Sequence, residues 1–183
     1  MPILHKAVIL CPGSDVQLMV SRHLMSEFRI EKTKAAAILT LSNGATVGGS
    51  FFVAGSSAMH AGPERIADLL NAEGGFFPFE TEGPAGPQAL LYHRAHVVTV
   101  ALDSEGEPQR DPGYHVATRR WVSMLLSNGG RVFGAVRVYR PQGRDRLSDY
   151  ARTPDIFRYL ETTGGTLIVN VGHVIELVET EET

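Results

Sequence analysis

Short runs in which apolar and polar residues alternate come back in the same order further along this chain. The run LSNGATVGGSFFV from Leu41 returns as LSNGGRVFGAVRV from Leu126, and ERIADLLNAEGGFFPFET from Glu64 returns as DRLSDYARTPDIFRYLET from Asp145. A third run, YHRAHVV from Tyr92, returns as VNVGHVI from Val169. Three blocks in one order, at an offset that shortens slightly from block to block, predict a duplicated unit whose copies differ by loop deletions.

In each copy a strand over 35–43 or 119–128 closes on Asn43-Gly44 or Asn128-Gly129. Asn-Gly supplies the positive φ angles of a tight hairpin, so residues 46–53 and 131–139 are predicted to return antiparallel. Gly49 and Gly134 interrupt these returning strands at matching positions. A glycine inside a strand marks a bulge, a bend or a close backbone approach, and a bend lets a short sheet curl into a small barrel. A loop and a brief helical pattern follow, with Arg65 and Asp68, and again Arg146 and Asp149, three apart on one helical face. That spacing predicts a tie within the helix or from helix to barrel, with a binding role for the arginine as the alternative. Further strands are predicted over 76–81, 90–93 and 96–102, and over 157–162, 166–170 and 173–178, with Phe76 and Phe157 as core anchors. The fold class is therefore mainly β: two tandem five-stranded antiparallel barrels with short helices.

The first repeat is placed at 34–102 and the second at 118–183. Between them, DSEGEPQRDPGYHVA over 103–117 has the acids, prolines and glycines of a solvated linker. Residues 1–33 form an N-terminal strand-helix extension. Ala7 to Cys11 reads as a strand and Pro12-Gly13 as a turn. Ser14 with Gln17 makes a capping box, and Val16, Val20, Leu24 and Phe28 share one helical face.

At the Asn-Gly hairpin the residues resemble the first motif of Sm-like proteins: Leu41-Ser42-Asn43-Gly44 to Gly49 and Phe51, and Leu126-Ser127-Asn128-Gly129 to Gly134 and Val136. YHRAHVV and VNVGHVI are similar in cadence to the second Sm motif, where a tight turn separates the last two strands. The resemblance implies Sm-like or SH3-like small barrels. It departs where Sm proteins hold RNA, because the Arg65 to Asp68 and Arg146 to Asp149 elements replace the aspartate-to-asparagine stretch and the Arg-Gly pair of the second motif is not preserved. It therefore implies fold ahead of RNA binding. Arg146-Leu147-Ser148-Asp149 with Asn170, His173 and Val174 also resembles an uncharacterised bacterial family, which implies no established activity.

With 183 residues, 43% hydrophobic and 20% charged, the composition is that of an ordinary globular chain, and two units this small are expected to pack together. No apolar stretch approaches the ~20 residues of a membrane span, so the expected location is cytoplasmic. The single cysteine, Cys11, excludes an intramolecular disulfide, and its place before Pro12 reads as a buried strand thiol. The net charge of −3 argues against a general nucleic-acid binder. Its distribution is uneven: 36–117 is acidic and 118–179 basic, with Arg131, Arg137, Arg140, Arg144 and Arg146 on one hairpin and its following loop. These arginines are either a solvated rim that pairs with the acidic first copy or an anion-binding patch for a ligand or partner.

His93 and His96 have the spacing of two ligands to one metal, with His60 or His115 to complete a set, but only His96 is duplicated, as His173. They are assigned to a structural turn or to a satisfied place in the core, and no metal is expected. No catalytic residue and no cofactor is assigned. Structural residues are duplicated and catalytic ones are not. The leading expectation is a non-enzymatic binding or adaptor protein acting through a protein partner, with self-association left open. The rivals are an Sm-like RNA or nucleotide binder using the arginine-rich second repeat and a metal-dependent enzyme using His93 and His96.

Overall fold

The computed structural model describes residues 32–182 apart from 58, 73, 104, 105, 112 and 142. The N-terminal strand and helix expected over 1–33, with Cys11, fall almost wholly outside the described residues. The first strand begins at Lys32, two residues ahead of the expected start of the first repeat. Strands β1 (Lys32–Leu41), β2 (Thr46–Ala54), β3 (Phe76–Gly83), β4 (Gly86–His93) and β5 (Val97–Leu102) are followed by β6 (Thr118–Leu126), β7 (Arg131–Val138), β8 (Phe157–Thr162), β9 (Gly165–Asn170) and β10 (Val174–Glu179). Helix α1 (Ile66–Asn71) lies between β2 and β3, and α2 (Leu147–Ala151) between β7 and β8. The ten strands make one antiparallel sheet in the order β10-β6-β7-β8-β9-β5-β1-β2-β3-β4. One continuous ladder runs through both halves, where two tandem barrels were expected. Among the described residues no helix is long and apolar enough to cross a membrane.

Each half has the same order of elements and the same strand neighbours, and β9 joins them by pairing with β5, Thr99 opposite Val169, Val100 opposite Ile168 and Ala101 opposite Leu167. Both hairpins turn over three residues: Leu41 N–H donates to the Ala45 carbonyl at 2.8 Å, and Leu126 N–H to the Gly130 carbonyl at 2.8 Å. Among the turn residues only the glycines are left-handed, Gly44 at φ 84° and Gly129 at φ 82°. This differs from the tight Asn-Gly turn expected. Asn43 and Asn128 keep negative φ and use their side-chain oxygens to accept from Ala45 and Gly130 N–H, both at 3.0 Å, and the glycine alone absorbs the extra residue as a bulge.

Gly49 and Gly134 are close-approach positions. A Cβ on Gly49 would overlap the Glu80 carbonyl and stand 2.6 Å from the Phe79 ring, and one on Gly134 would overlap the Glu161 carbonyl and stand 3.0 Å from Leu160 Cγ. At these points β2 meets β3 and β7 meets β8 over only one or two residue pairs.

Two apolar cores result. One gathers Leu39, Phe51, Leu70, Phe77, Phe79, Val97 and Val100, the other Val122, Met124, Val136, Tyr150 and Leu160. Phe157 and Ile168 from the second half belong to the first core, and Val98 from the first half to the second. Phe76, expected as a core anchor, is exposed, because strand alternation turns Phe77 and Phe79 inward. Within the 103–117 segment, expected as a solvated linker, a 3-10 turn forms over Pro108–Arg110 and Glu107 and Pro108 are buried, while Gln109, Arg110, His115 and Val116 stay exposed.

Gly49→Ala and Gly134→Ala should each cost about 1–3 kcal/mol by overpacking against backbone that cannot rotate away. Urea unfolding measures this, and an alanine variant as stable as wild type at either position would refute the close-approach role.

Candidate functional site

A cleft of about 690 Å³ opens where the two halves meet, between the end of α1, the β4–β5 turn, the segment entering β8 and the β9–β10 turn. The two turns are 3-10 segments, Arg94–His96 and Val171–His173, so His96 and His173 belong to the turns and the strands start one residue later than expected. His93 and Asn170 hold equivalent places. His93 Nδ1 accepts from Ala95 N–H at 3.2 Å, and Asn170 Oδ1 from Gly172 N–H at 2.9 Å. Ser42 and Ser127, before the hairpin glycines, hydrogen-bond the turn histidines, Ser42 Oγ to His96 Nδ1 at 3.2 Å and Ser127 Oγ to His173 Nδ1 at 2.6 Å.

Side chains stitch the cleft walls across the seam. Asn71, the last residue of α1, accepts from Ile156 and Phe157 N–H at 3.0 and 2.9 Å and donates to the Phe157 carbonyl at 2.8 Å. Asn170 Nδ2 donates to the Val97 carbonyl at 2.9 Å, and His173 Nε2 bonds the Ala95 carbonyl at 2.8 Å. A carbonyl only accepts, so Nε2 carries a proton and donates it to Ala95, while Nδ1 shares a hydrogen bond with the Ser127 hydroxyl. Both nitrogens of His173 are thus engaged. Arg94 donates to the carbonyls of Gly74, Phe76 and Leu69, and burial lowers its pKa from the ordinary value. Neither Asn71 nor Arg94 carries a sequence signal, since helix-end asparagines and turn arginines are common. The Asn170 and His93 equivalence was readable only as a mismatch between copies.

A second polar cluster surrounds the start of α1. Arg65 and Asp68 form the expected pair, Arg65 Nη2 to Asp68 Oδ1 at 2.8 Å, and Asp68 Oδ2 also bonds His60 Nε2 at 2.7 Å. Burial opposes ionisation of Asp68, but hydrogen bonds from Arg65 and His60 outweigh it and hold the carboxyl below its ordinary 3.8. Glu107, from the segment between the halves, accepts from Ile66 N–H at the helix start. Its carboxyl is pushed up from 4.5, chiefly by burial, against the opposing pull of the backbone donors. Tyr159 Oη is buried beside it without a well-aligned partner, and burial raises the phenol further. In the second half Asp149 accepts from the Arg146 backbone N–H at 3.2 Å, while the Arg146 residue is exposed.

Among the described residues the five arginines form no ion pair with the acidic first copy. Arg131 on β7 bonds Glu176 on β10, across β6, at 2.9 Å, and Arg137 bonds Glu161 on the adjacent β8 at 2.9 Å, both carboxylates of the second half, and Arg137 also stacks on Tyr114 at 4.1 Å. Arg140 and Arg144 are exposed and outside every ion pair found among the described residues. The rings of His93 and His96 lie 5.7 Å apart, His60 is committed to Asp68, and among the described residues no three His, Cys, Asp or Glu side chains converge as metal ligands would.

Asp68 and Glu107 respond to pH in opposite senses. The lowered pKa of Asp68 gives stability that is present above pH 3.8 and lost as pH falls through the folded value. The raised pKa of Glu107 favours folding below 4.5, and that contribution is lost as pH rises through its folded value. Asp68→Asn should therefore destabilise at neutral pH and converge on wild type in acid. Glu107→Gln should be at least as stable as wild type at neutral pH, whereas Glu107→Ala, which orphans a buried donor, should lose about 1–3 kcal/mol. Urea unfolding across pH tests both, and a Glu107→Gln protein weaker than wild type at neutral pH would refute the assignment.

No protein-family model matches the chain, and neither a curated protein nor a solved structure shows significant similarity to it.

Proposed function

We propose that this chain is a non-enzymatic binding protein, an adaptor whose two halves are small Sm-like barrels and whose seam cleft receives an apolar side chain of a protein partner. One observation carries this reading: four of the polar side chains of the cleft are spent on holding backbone. Arg94, Asn71, Asn170 and His173 each bond main-chain atoms, as described above, leaving Leu70, Pro154, Ile156 and Phe157 as its apolar walls. An open, mostly apolar concavity with a few fixed polar groups suits recognition of a side chain. A general base would need a free nitrogen or carboxylate held near a nucleophile; His173 has neither nitrogen free, and no hydroxyl or thiol side chain lines the cleft beside His93 or Asp155. The two cores and the glycine close approaches support the barrel reading of each half.

Selection from a random-peptide display library against the full chain should enrich sequences that share an apolar anchor. Ile156 is an exposed cleft residue, so Ile156→Glu should weaken the selected peptides at least about tenfold, the scale of a lost hot-spot contact. No enrichment, or an affinity indifferent to Ile156→Glu, would sink the proposal.

RNA or nucleotide binding through the second half is the runner-up, favoured by exposed Arg140 and Arg144. Because Arg131 and Arg137 already face carboxylates, the expected outcome is weak binding of single-stranded RNA that salt erases. Submicromolar affinity at ~150 mM salt, abolished by joint alanine substitution of Arg137, Arg140 and Arg144, would reverse the order of the two readings.

A further inference from the structure

The two walls of the seam cleft are the same place in the two halves, built from different residues. Arg94 N–H donates to the Gly75 carbonyl at 2.8 Å and Val171 N–H to the Ile156 carbonyl at 2.8 Å, so Gly74-Gly75 on one wall corresponds to Asp155-Ile156 on the other. One wall is therefore bare backbone. The other carries a carboxylate and an exposed apolar side chain.

Beside the bare wall stands an unused donor. His93 Nδ1 accepts from Ala95 N–H at 3.2 Å, so the ring hydrogen sits on Nε2, which has no hydrogen-bond partner among the described residues. A Cβ on Gly75 would stand 3.0 Å from that nitrogen, and one on Gly74 would stand 3.5 Å from Arg94 Nη1. The two glycines thus leave room next to both side chains. Arg94 adds charge to this corner. Its guanidinium bonds the neutral carbonyls of Gly74, Phe76 and Leu69, and its Nε–H is buried without a partner. Among the described residues no carboxylate pairs with it. Carbonyl dipoles leave the net charge of a guanidinium in place, and in a partly dry wall that charge favours an anion nearby.

We propose that the partner enters this cleft by its C-terminus, a reading that rests on the cleft function proposed above. The free α-carboxylate of its last residue lies over Gly74-Gly75, against His93 Nε2–H and the Arg94 charge. The apolar side chain of that residue packs on Ile156 and Leu70. Its backbone N–H turns toward Asp155, whose exposed carboxylate has no partner among the described residues and repels a second anion from the opposite wall. Only the last residue of a chain brings a carboxylate and an apolar side chain to one Cα. An internal apolar residue would offer His93 and Arg94 a neutral amide, and an acidic side chain would leave the apolar wall empty. Fixed N–H donors that capture a terminal carboxylate are a recurring mode of peptide recognition.

The test uses the full chain as bait for two displayed libraries, random peptides ending in a free carboxylate and the same peptides followed by a fixed Gly-Ser tail. The first should enrich Leu, Ile, Val or Phe at the last position. An enriched peptide synthesised as its C-terminal carboxamide should bind at least about tenfold more weakly than the acid, the scale of a lost charge-assisted hydrogen bond. His93→Asn separates the donor from the fold. Asparagine already holds this place in the second half, where Asn170 Oδ1 keeps the turn by accepting from Gly172 N–H at 2.9 Å. The shorter side chain withdraws the donor from beside Gly75, so the acid should fall to the affinity of the amide while amide binding stays unchanged. Gly75→Ala, which sets a methyl group where the carboxylate should lie, should act likewise, and it decides alone if His93→Asn fails to fold by circular dichroism. Acid and amide binding equally, with Ile156→Glu weakening both, would overturn the C-terminal assignment and leave the cleft reading standing. A preference for the acid that survives both His93→Asn and Gly75→Ala would overturn it too. No enrichment from either library would remove this inference together with the cleft reading.

Discussion

The pairing of β5 with β9 is the constraint on which the rest of the structure depends. It is short, three residue pairs in the ladder, yet both strands are covered on two faces, and their side chains are shared between two cores. Strands buried on both sides read as continuous apolar runs, which VVTVAL and TLIVN do. Asn71, Asn170 and His173 then lock the register by bonding backbone from the other half. A one-residue slip would turn every shared side chain to the wrong core. The cleft is a by-product of this arrangement. Two turns and two strand entries must stand apart for the strands between them to meet.

Much of the fold was legible in the sequence because its signals are local. Hairpin glycines, alternating strands and the Arg-Asp helix starts depend on neighbours a few residues away, and the strands and helices lie close to where periodicity puts them. The seam was not legible. Nothing in the alternation of β5 says that its second face meets β9 instead of a helix or solvent, so the sheet was expected as two closed units. Phe76 shows the same limit: beside Phe77 and Phe79 it satisfies any hydrophobicity criterion, and only strand phase makes it the exposed one. The segment after β5 misled through composition. Its acids and prolines suggest solvent, but a single carboxylate, Glu107, finds the unpaired N–H groups of a helix start and draws the segment in.

Of the residues that define the candidate site, the arginines were visible and the cleft was not. Arginines stand out by charge, yet on a β surface a nearby strand often supplies a carboxylate, as the adjacent strand does with Glu161 and the strand beyond β6 does with Glu176. The cleft is built from backbone and from small side chains at turns, Gly74, Gly75 and Gly172 among them, which look like ordinary loop chemistry in one dimension. A duplicated histidine drew attention as a metal ligand. Its place is explained by the Ser42 and Ser127 hydroxyls and, in the second half, by a carbonyl across the seam.

The long sequence separation between β5 and β9 has a consequence during synthesis. A ribosome adding ~5–20 residues per second delivers β9 several seconds after β5. Through that interval the first half has all five of its own strands but lacks Phe157 and Ile168, so its core is unfinished and its β5 edge is bare. On a polysome the nearest complementary strand could belong to the chain ahead. Faithful assembly then becomes a race between a tethered partner that arrives late and an untethered one already present, and the local concentration conferred by the 103–117 segment decides which wins.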